Sequence, residues 1–170
     1  GISYFDETTG QSVPLCSRPE CKHMDESCTA YVNAPFYQLF MNPEKDKLFL
    51  NCLETIDYDT YDVRHYIYAM DTNGANREEV FRMDNGNLYT AFVFGQDCLY
   101  FLVDAKDKET TKSSFNLVKV NYKTGESSVL YSFEQSEAYQ CARIVGAYDN
   151  FILLDMNNNQ NFDVMRFDVA

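Results

Sequence analysis

The segment KLFLNCL, residues Lys47–Leu53, recurs in altered form as CLYFLVD (Cys98–Asp104) and as FILLDM (Phe151–Met156). All three are short apolar runs, and they lie in a chain of 170 residues with 13 Tyr, 13 Phe and no Trp. Tyr and Phe favour strands over helices. No long segment shows the 3.6-residue periodicity of an amphipathic helix. The sequence therefore predicts an all-β protein.

The spacing of the three segments indicates a repeat. Their centres, Phe49, Tyr100 and Ile152, are 51 and then 52 residues apart. One strand-like segment precedes each centre and another follows it, and a fourth completes the first two copies. In chain order these flanking segments are FYQLF, RHYIYAMD, EEVFRM, YTAFVF, FNLVKVNY, SSVLYSF, ARIVGAY and FDVMRFDV. Four short strands in a unit of about 50 residues are typical of a β-propeller blade.

The repeat predicts how many blades the chain carries. Two complete units span Phe36–Asp84 and Leu88–Phe133, the strands ISYFD and SVPL form half a unit before them, and three strands follow. This makes about three and a quarter units, whereas closed propellers have about four to eight blades. We therefore expect residues 1–170 to be a single repeat domain, either a fragment of a propeller or an open, oligomeric stack of sheets. A three-layer β-sandwich is the structural alternative.

The turn glycines locate an insertion in this repeat. Gly74 and Gly125 are 51 residues apart, but Gly10 and Gly74 are 64 apart, an excess of 13 residues. The excess equals the length of Cys16–Cys28. We call residues 16–30 the Cys/His loop and predict that it is added between two blades. Insertions of this kind map to loops at one face of a repeat protein, where binding sites are common.

The Cys/His loop has the pattern C-x4-C-x-H-x4-C, formed by Cys16, Cys21, His23 and Cys28. Three thiols and one imidazole meet the ligand count of a tetrahedral Cys3His zinc site. Arg18–Pro19 is predicted to bend the chain between the first two cysteines. If the chain is extended at Cys21 and His23, both side chains point the same way.

Two neighbouring acids, Asp25 and Glu26, are predicted to accept the proton on the histidine ring nitrogen that does not bind the metal. The alternatives to metal are a disulfide, Cys16–Cys28 or Cys21–Cys28, and free buried thiols. The remaining cysteines, Cys52, Cys98 and Cys141, are predicted to be small buried apolar residues, and His65 an ordinary strand residue.

Charge and motifs exclude several classes of function. A net charge of −12 argues against nucleic-acid binding, which needs a basic surface. No apolar run approaches the roughly 18 residues of a membrane span. The chain has no nucleophile elbow and no phosphate-binding glycine loop. The acids and tyrosines of LETIDYDTYD (Leu53–Asp62) would suit a cation or a sugar ring, with a solvated loop as the alternative, and DMNNNQNFD (Asp155–Asp163) fits a hairpin turn better than a calcium loop.

The block ISYFDETTGQSVPLCSRPECKHMDESCTAY (Ile2–Tyr31) resembles a recurring opening of uncharacterised, propeller-like cell-surface lipoproteins of Gram-positive gut anaerobes. The shared pattern is P-L-C-x-x-P-E-C-x-H-x4-C-x-A-Y. The resemblance implies an extracellular location, a lipid anchor and a longer full-length chain, and it implies no activity. Because strict anaerobes export few disulfide proteins, it also favours metal over a disulfide.

These observations predict a non-catalytic extracellular binding or interaction module with a structural zinc site. Its partner is expected to be a protein or carbohydrate of the cell surface, and not nucleic acid. The alternative is a propeller-type glycosidase, or the propeller domain of a hydrolase, in which the Cys/His loop is disulfide-bonded.

Overall fold

The computed structural model describes residues 1–57, 62–84, 86–88, 92–106, 113–135, 141–148, 150–157 and 162–169. In these ranges the regular structure consists of fourteen β-strands and no helix. They are β1 (Ser3–Asp6), β2 (Gln11–Pro14), β3 (Phe36–Met41), β4 (Lys47–Asp57), β5 (Asp62–Asp71), β6 (Glu78–Asp84), β7 (Gly86–Leu88), β8 (Val93–Gly95), β9 (Cys98–Lys106), β10 (Ser113–Asn121), β11 (Ser127–Glu134), β12 (Cys141–Ala147), β13 (Phe151–Asn157) and β14 (Phe162–Asp168). The described residues include no helix long and apolar enough to cross a membrane.

The strands form four antiparallel sheets that follow one another in chain order. The first is the hairpin β1–β2, and the second has the order β3-β4-β5-β6. The third has the order β7-β9-β10-β11, with β8 also paired to β9, and the fourth is β12-β13-β14. The all-β prediction and the four-stranded antiparallel sheets are confirmed. At the start of the second predicted unit, two short strands, β7 and β8, pair with different parts of β9.

Apolar side chains bury each sheet against the next one. Alternate residues of a strand point to opposite faces, so β4 and β9 each contribute to two cores. Three interfaces result, and each takes its buried residues from consecutive sheets. The hairpin interface contains Ile2, Leu15, Leu48, Leu50, Cys52 and Met70. The central interface contains Phe49, Ile67, Ala69, Val80, Phe92, Leu99, Phe101, Val103, Val118 and Val120. The C-terminal interface contains Cys98, Tyr100, Leu102, Phe115, Leu117, Ala142, Ile152, Leu154, Met156 and Val169.

The structure shifts the third repeat centre by one residue. Phe49 and Tyr100 both point onward to the next sheet, whereas Ile152 points back and packs in the C-terminal interface. Leu153 therefore matches Tyr100, 53 residues away rather than 52. Two hydrogen bonds at the same place in the third and fourth sheets support this match: Tyr122 N to Asp97 O (3.2 Å) and Val169 N to Asn150 O (2.9 Å). Their acceptors, Asp97 and Asn150, lie three residues before Tyr100 and Leu153, respectively.

The three turn glycines share one backbone conformation, as equivalent positions of a repeat would. Gly10, Gly74 and Gly125 have φ angles of 69°, 79° and 75°, in the left-handed region that glycine adopts without strain. Gly74 also touches the start of the Cys/His loop, because a Cβ atom there would lie 2.1 Å from the carbonyl oxygen of Leu15. The turn between β5 and β6 thus supports the loop directly.

Candidate metal centre

The Cys/His loop connects β2 to β3 and gathers its four predicted ligands at one point. The Sγ atoms of Cys16, Cys21 and Cys28 and a ring nitrogen of His23 all lie within 4.8 Å of one another. Nδ1 of His23 is 3.3 Å from Sγ of Cys28. Cys28 is 1% exposed, and the other three side chains are half-buried. The structure therefore brings together all four residues that the sequence pattern singles out.

Two tight turns produce this convergence. The backbone N–H of Cys21 donates to the carbonyl of Arg18 (3.2 Å), so the chain reverses at Pro19 as predicted. The N–H of Cys28 donates to the carbonyl of Asp25 (2.9 Å) in a second turn. Proline presets φ for the first turn, and Asp25 stabilises the second by accepting from the N–H of Ser27 (2.9 Å).

The backbone at the histidine is left-handed. His23 has a φ of 58°, so the condition of an extended chain at Cys21 and His23 is not met. The left-handed conformation turns the chain sharply between the second and fourth ligands, and it costs a non-glycine residue about 1–2 kcal/mol. Asp25 serves the turn at Ser27, while Glu26 lines a neighbouring cleft. Their role as acceptors for the histidine proton stays a prediction.

The thiols of the cluster differ in acidity. The pKa of Cys16 is lowered to about 6, chiefly because the backbone N–H of Arg18 donates to its sulfur. Burial raises the pKa of Cys28. The guanidinium of Arg18 also donates to Sγ of Cys21 (3.6 Å), and this contact raises the pKa of Arg18. The loop thus provides positive charge and N–H donors beside sulfurs that must be thiolates to bind metal.

The cluster has the chemistry and dimensions of a metal centre. Ligands at the usual zinc–sulfur distance of about 2.3 Å stand about 3.8 Å apart in a tetrahedron, within the observed spread. Three sulfurs and one nitrogen would complete the coordination of a bound zinc ion, as in structural zinc sites, and would leave no position for a reacting water. Cys16, Cys21 and Cys28 are free cysteines in the structure.

Contacts with the N-terminal residues and with the second sheet anchor the Cys/His loop. The N–H of Ile2 donates to the carbonyl of Ala30 (2.7 Å). Nη1 of Arg77, the residue just before β6, donates to the carbonyls of Tyr31 (2.6 Å) and Thr29 (3.2 Å). The same guanidinium lies 4.4 Å from the ring centroid of Tyr68. The sequence did not single out Arg77, and no local pattern could have done so, because the residues it holds are more than 40 positions away.

The other singled-out residues lie elsewhere. Cys52 and Cys98 are buried, as predicted, and Cys141 lies in β12 with its side chain outside the described residues. His65 is buried in β5, where Nε2 accepts from the N–H of Leu88 (3.3 Å). In LETIDYDTYD, Glu54 accepts from the hydroxyl of Tyr66 (2.5 Å), while residues 58–61 lie outside the described ranges. Residues 158–161 of DMNNNQNFD also lie outside them.

Comparison with known proteins identified no relative of this chain. No family model matches the chain, and searches of curated proteins and of solved structures found no match. The resemblance of Ile2–Tyr31 to cell-surface lipoproteins therefore stays a prediction. What the protein does has to be inferred from the metal cluster, the stacked sheets and the surfaces between them.

Proposed function

We propose that the protein is a non-catalytic binding module of the cell surface, built of propeller-type blades, with a structural zinc ion in its Cys/His loop. The observation that carries the proposal is the convergence of Cys16, Cys21, His23 and Cys28 within 4.8 Å. Such a cluster binds zinc with full coordination, which suits a site that stabilises a loop.

The position of the loop supports a structural role for the metal. The loop lacks strands of its own and encloses only 13 residues from Cys16 to Cys28. Its order rests on turns, on Arg77 and on the ligands. A metal bound by both ends and the middle of such a segment removes most of its conformational freedom. The free energy of metal binding therefore adds to the stability of the folded loop.

The stacking of the sheets supports the blade interpretation. Each sheet is an antiparallel meander, and each packs its face on the next sheet in chain order. Radial stacking of four-stranded meanders is how propellers bury their faces. The loops at the ends of such blades commonly form binding sites.

The extracellular location follows from the resemblance of Ile2–Tyr31 to surface lipoproteins, and the net charge of −12 suits a soluble, self-repelling surface. The proposed partner is a protein or carbohydrate of the cell surface. Surface proteolysis of intact cells that express the protein checks the location. Protection equal to that of a cytoplasmic marker would contradict it.

Metal analysis tests the zinc proposal directly. Protein purified without chelator is analysed for zinc by mass spectrometry, and its thiols are counted after denaturation. We expect about one zinc per chain and all six thiols. Cys21→Ser should lose the zinc, whereas the matched control Cys98→Ser, which removes a buried thiol outside the loop, should keep it. Absence of metal together with two missing thiols would instead establish a disulfide.

A further inference from the structure

A cleft separates the Cys/His loop from the second sheet. Its volume is about 520 Å³, within the range of about 300–1,000 Å³ that is usual for small-ligand sites. One wall is the face of β4 and β5, with Cys52, Glu54, Tyr66 and Tyr68. The opposite wall is the chain from residue 26 to residue 34, and Arg77 joins the two walls.

The sheet wall of this cleft carries a preorganised group of polar side chains. The hydroxyl of Tyr66 donates to Oε2 of Glu54 (2.5 Å) and accepts from Nη1 of Arg64 (3.3 Å). A carboxylate offers about four acceptor sites, so Glu54 can accept further hydrogen bonds from ligand hydroxyls. The amide of Asn33 on the opposite wall offers both donors and an acceptor.

The arginines that lie over Tyr66 and Tyr68 argue against a cationic ligand. Tyr66 and Tyr68 stack with ring centroids 5.9 Å apart. Arg82 lies over the Tyr66 ring at 5.1 Å, and Arg77 lies over the Tyr68 ring at 4.4 Å. Because guanidinium groups already occupy these ring faces, the tyrosines do not form a cage for a cationic ligand.

Acids and polar groups exclude two further classes. Among the described residues, the cleft lining carries two acids, Glu26 and Glu54, against one cation, Arg77, whose Nη1 already donates to two backbone carbonyls. In a protein with a net charge of −12, this balance disfavours an anionic ligand. Burying an unpaired carboxylate against an apolar ligand is costly, which disfavours a lipid or hydrocarbon. A neutral ligand with several hydroxyl groups meets each of these conditions.

We propose that the cleft between the Cys/His loop and strands β4–β5 binds a neutral saccharide, with Glu54 as the principal acceptor of its hydroxyl hydrogens. The inference deepens the proposed function, on which it rests, by naming the ligand class and its site. Cys28 belongs both to the metal cluster and to the cleft wall, so metal ligation holds the loop wall in position for the ligand.

The test uses soluble neutral disaccharides as probes: cellobiose, maltose, lactose and chitobiose. Zinc content is measured first on the same protein sample. Saturation-transfer NMR identifies a disaccharide that binds, and calorimetry then gives its Kd. The variants are Glu54→Gln, which removes the charged acceptor, and Tyr66→Phe, which removes the hydroxyl that orients it. The matched control is Glu126→Gln, in the exposed turn between β10 and β11.

We expect at least one disaccharide to bind, and Glu54→Gln to raise its Kd about tenfold, the usual effect of losing a charged hydrogen-bond acceptor. Tyr66→Phe should raise the Kd less, and Glu126→Gln should leave it unchanged. Thermal unfolding of each variant separates lost contact from lost fold. Zinc-loaded protein that binds none of the probes, or an unchanged Kd in folded Glu54→Gln, overturns the saccharide site alone. Zinc-free protein that still binds a probe through Glu54 supports the cleft and refutes only the metal.

Discussion

The buried histidine of β5 predicts a specific dependence of stability on pH. His65 is 4% exposed, and its strand neighbours Leu53 and Met83 are uncharged. Burial lowers the pKa of His65 to about 4 from the ordinary value of 6.5. Nε2 accepts from Leu88, so the neutral ring carries its proton on Nδ1, and a second proton on Nε2 would oppose the N–H of Leu88.

The magnitude follows from the two pKa values. Between pH 6.5 and about pH 4 the unfolded chain binds a proton at His65 that the folded protein does not. The stabilisation is therefore complete above pH 6.5 and is lost as the pH falls towards 4. Since each tenfold change in a proton equilibrium is worth about 1.4 kcal/mol, the full effect is about 3 kcal/mol.

The assay compares wild type with His65→Gln, which cannot titrate but keeps an oxygen able to accept from Leu88. Urea unfolding of both proteins, with equal zinc, is measured from about pH 7.5 to about pH 4, and contributions from other titrating groups cancel in the difference. We expect wild type to lose about 3 kcal/mol relative to the variant across this range. Parallel curves, with a difference constant to about 0.5 kcal/mol, would refute the reasoning.

Three further outcomes test the packing. Gly74→Ala should destabilise the protein more than Gly125→Ala, because both glycines have positive φ but only Gly74 would place its Cβ 2.1 Å from a carbonyl; equal losses in melting temperature would contradict this. Phe101→Ala, in the fully buried centre of the third sheet, should cost about 3–5 kcal/mol in urea unfolding, and a loss below about 1 kcal/mol would mean that the central interface is misassigned. Removal of zinc by a chelator should make the Cys52 thiol, now 3% exposed beneath the hairpin, react faster with a thiol reagent, with Cys98 as the unreactive comparison.

The parts of the fold that could be predicted are those with local causes. KLFLNCL and CLYFLVD are apolar runs of strand length, and glycines mark turns that need positive φ. The metal cluster was also predictable, because four ligands within 13 residues need little chain closure to meet. The error at Ile152 has the same origin. A one-residue offset is nearly invisible in a run of apolar residues, yet it moves a side chain to the opposite face.

The parts that could not be predicted involve partners distant in sequence. The hydrogen bonds from Arg77 to the carbonyls of Thr29 and Tyr31 depend on how the Cys/His loop folds over the second sheet. The cleft that Arg77 lines depends on the same packing. The buried position of His65 depends on Leu88, which is 23 residues away in another sheet. No local sequence pattern marks Arg77 or His65, because the residues that each of them contacts lie far away along the chain.

The sequence by itself determined the β-strand content, the repeat of about 50 residues and the four residues of the candidate metal site, since each depends on interactions between residues close along the chain. Only the tertiary structure decided which face of each strand meets which sheet, that His23 reaches the cluster through a left-handed backbone, and that Cys28 belongs both to the Cys/His cluster and to the cleft wall. These features arise when separate sheets bury their apolar faces against one another. The free energy of that burial depends on how closely the surfaces fit in space, and this fit leaves no periodic signal in the sequence.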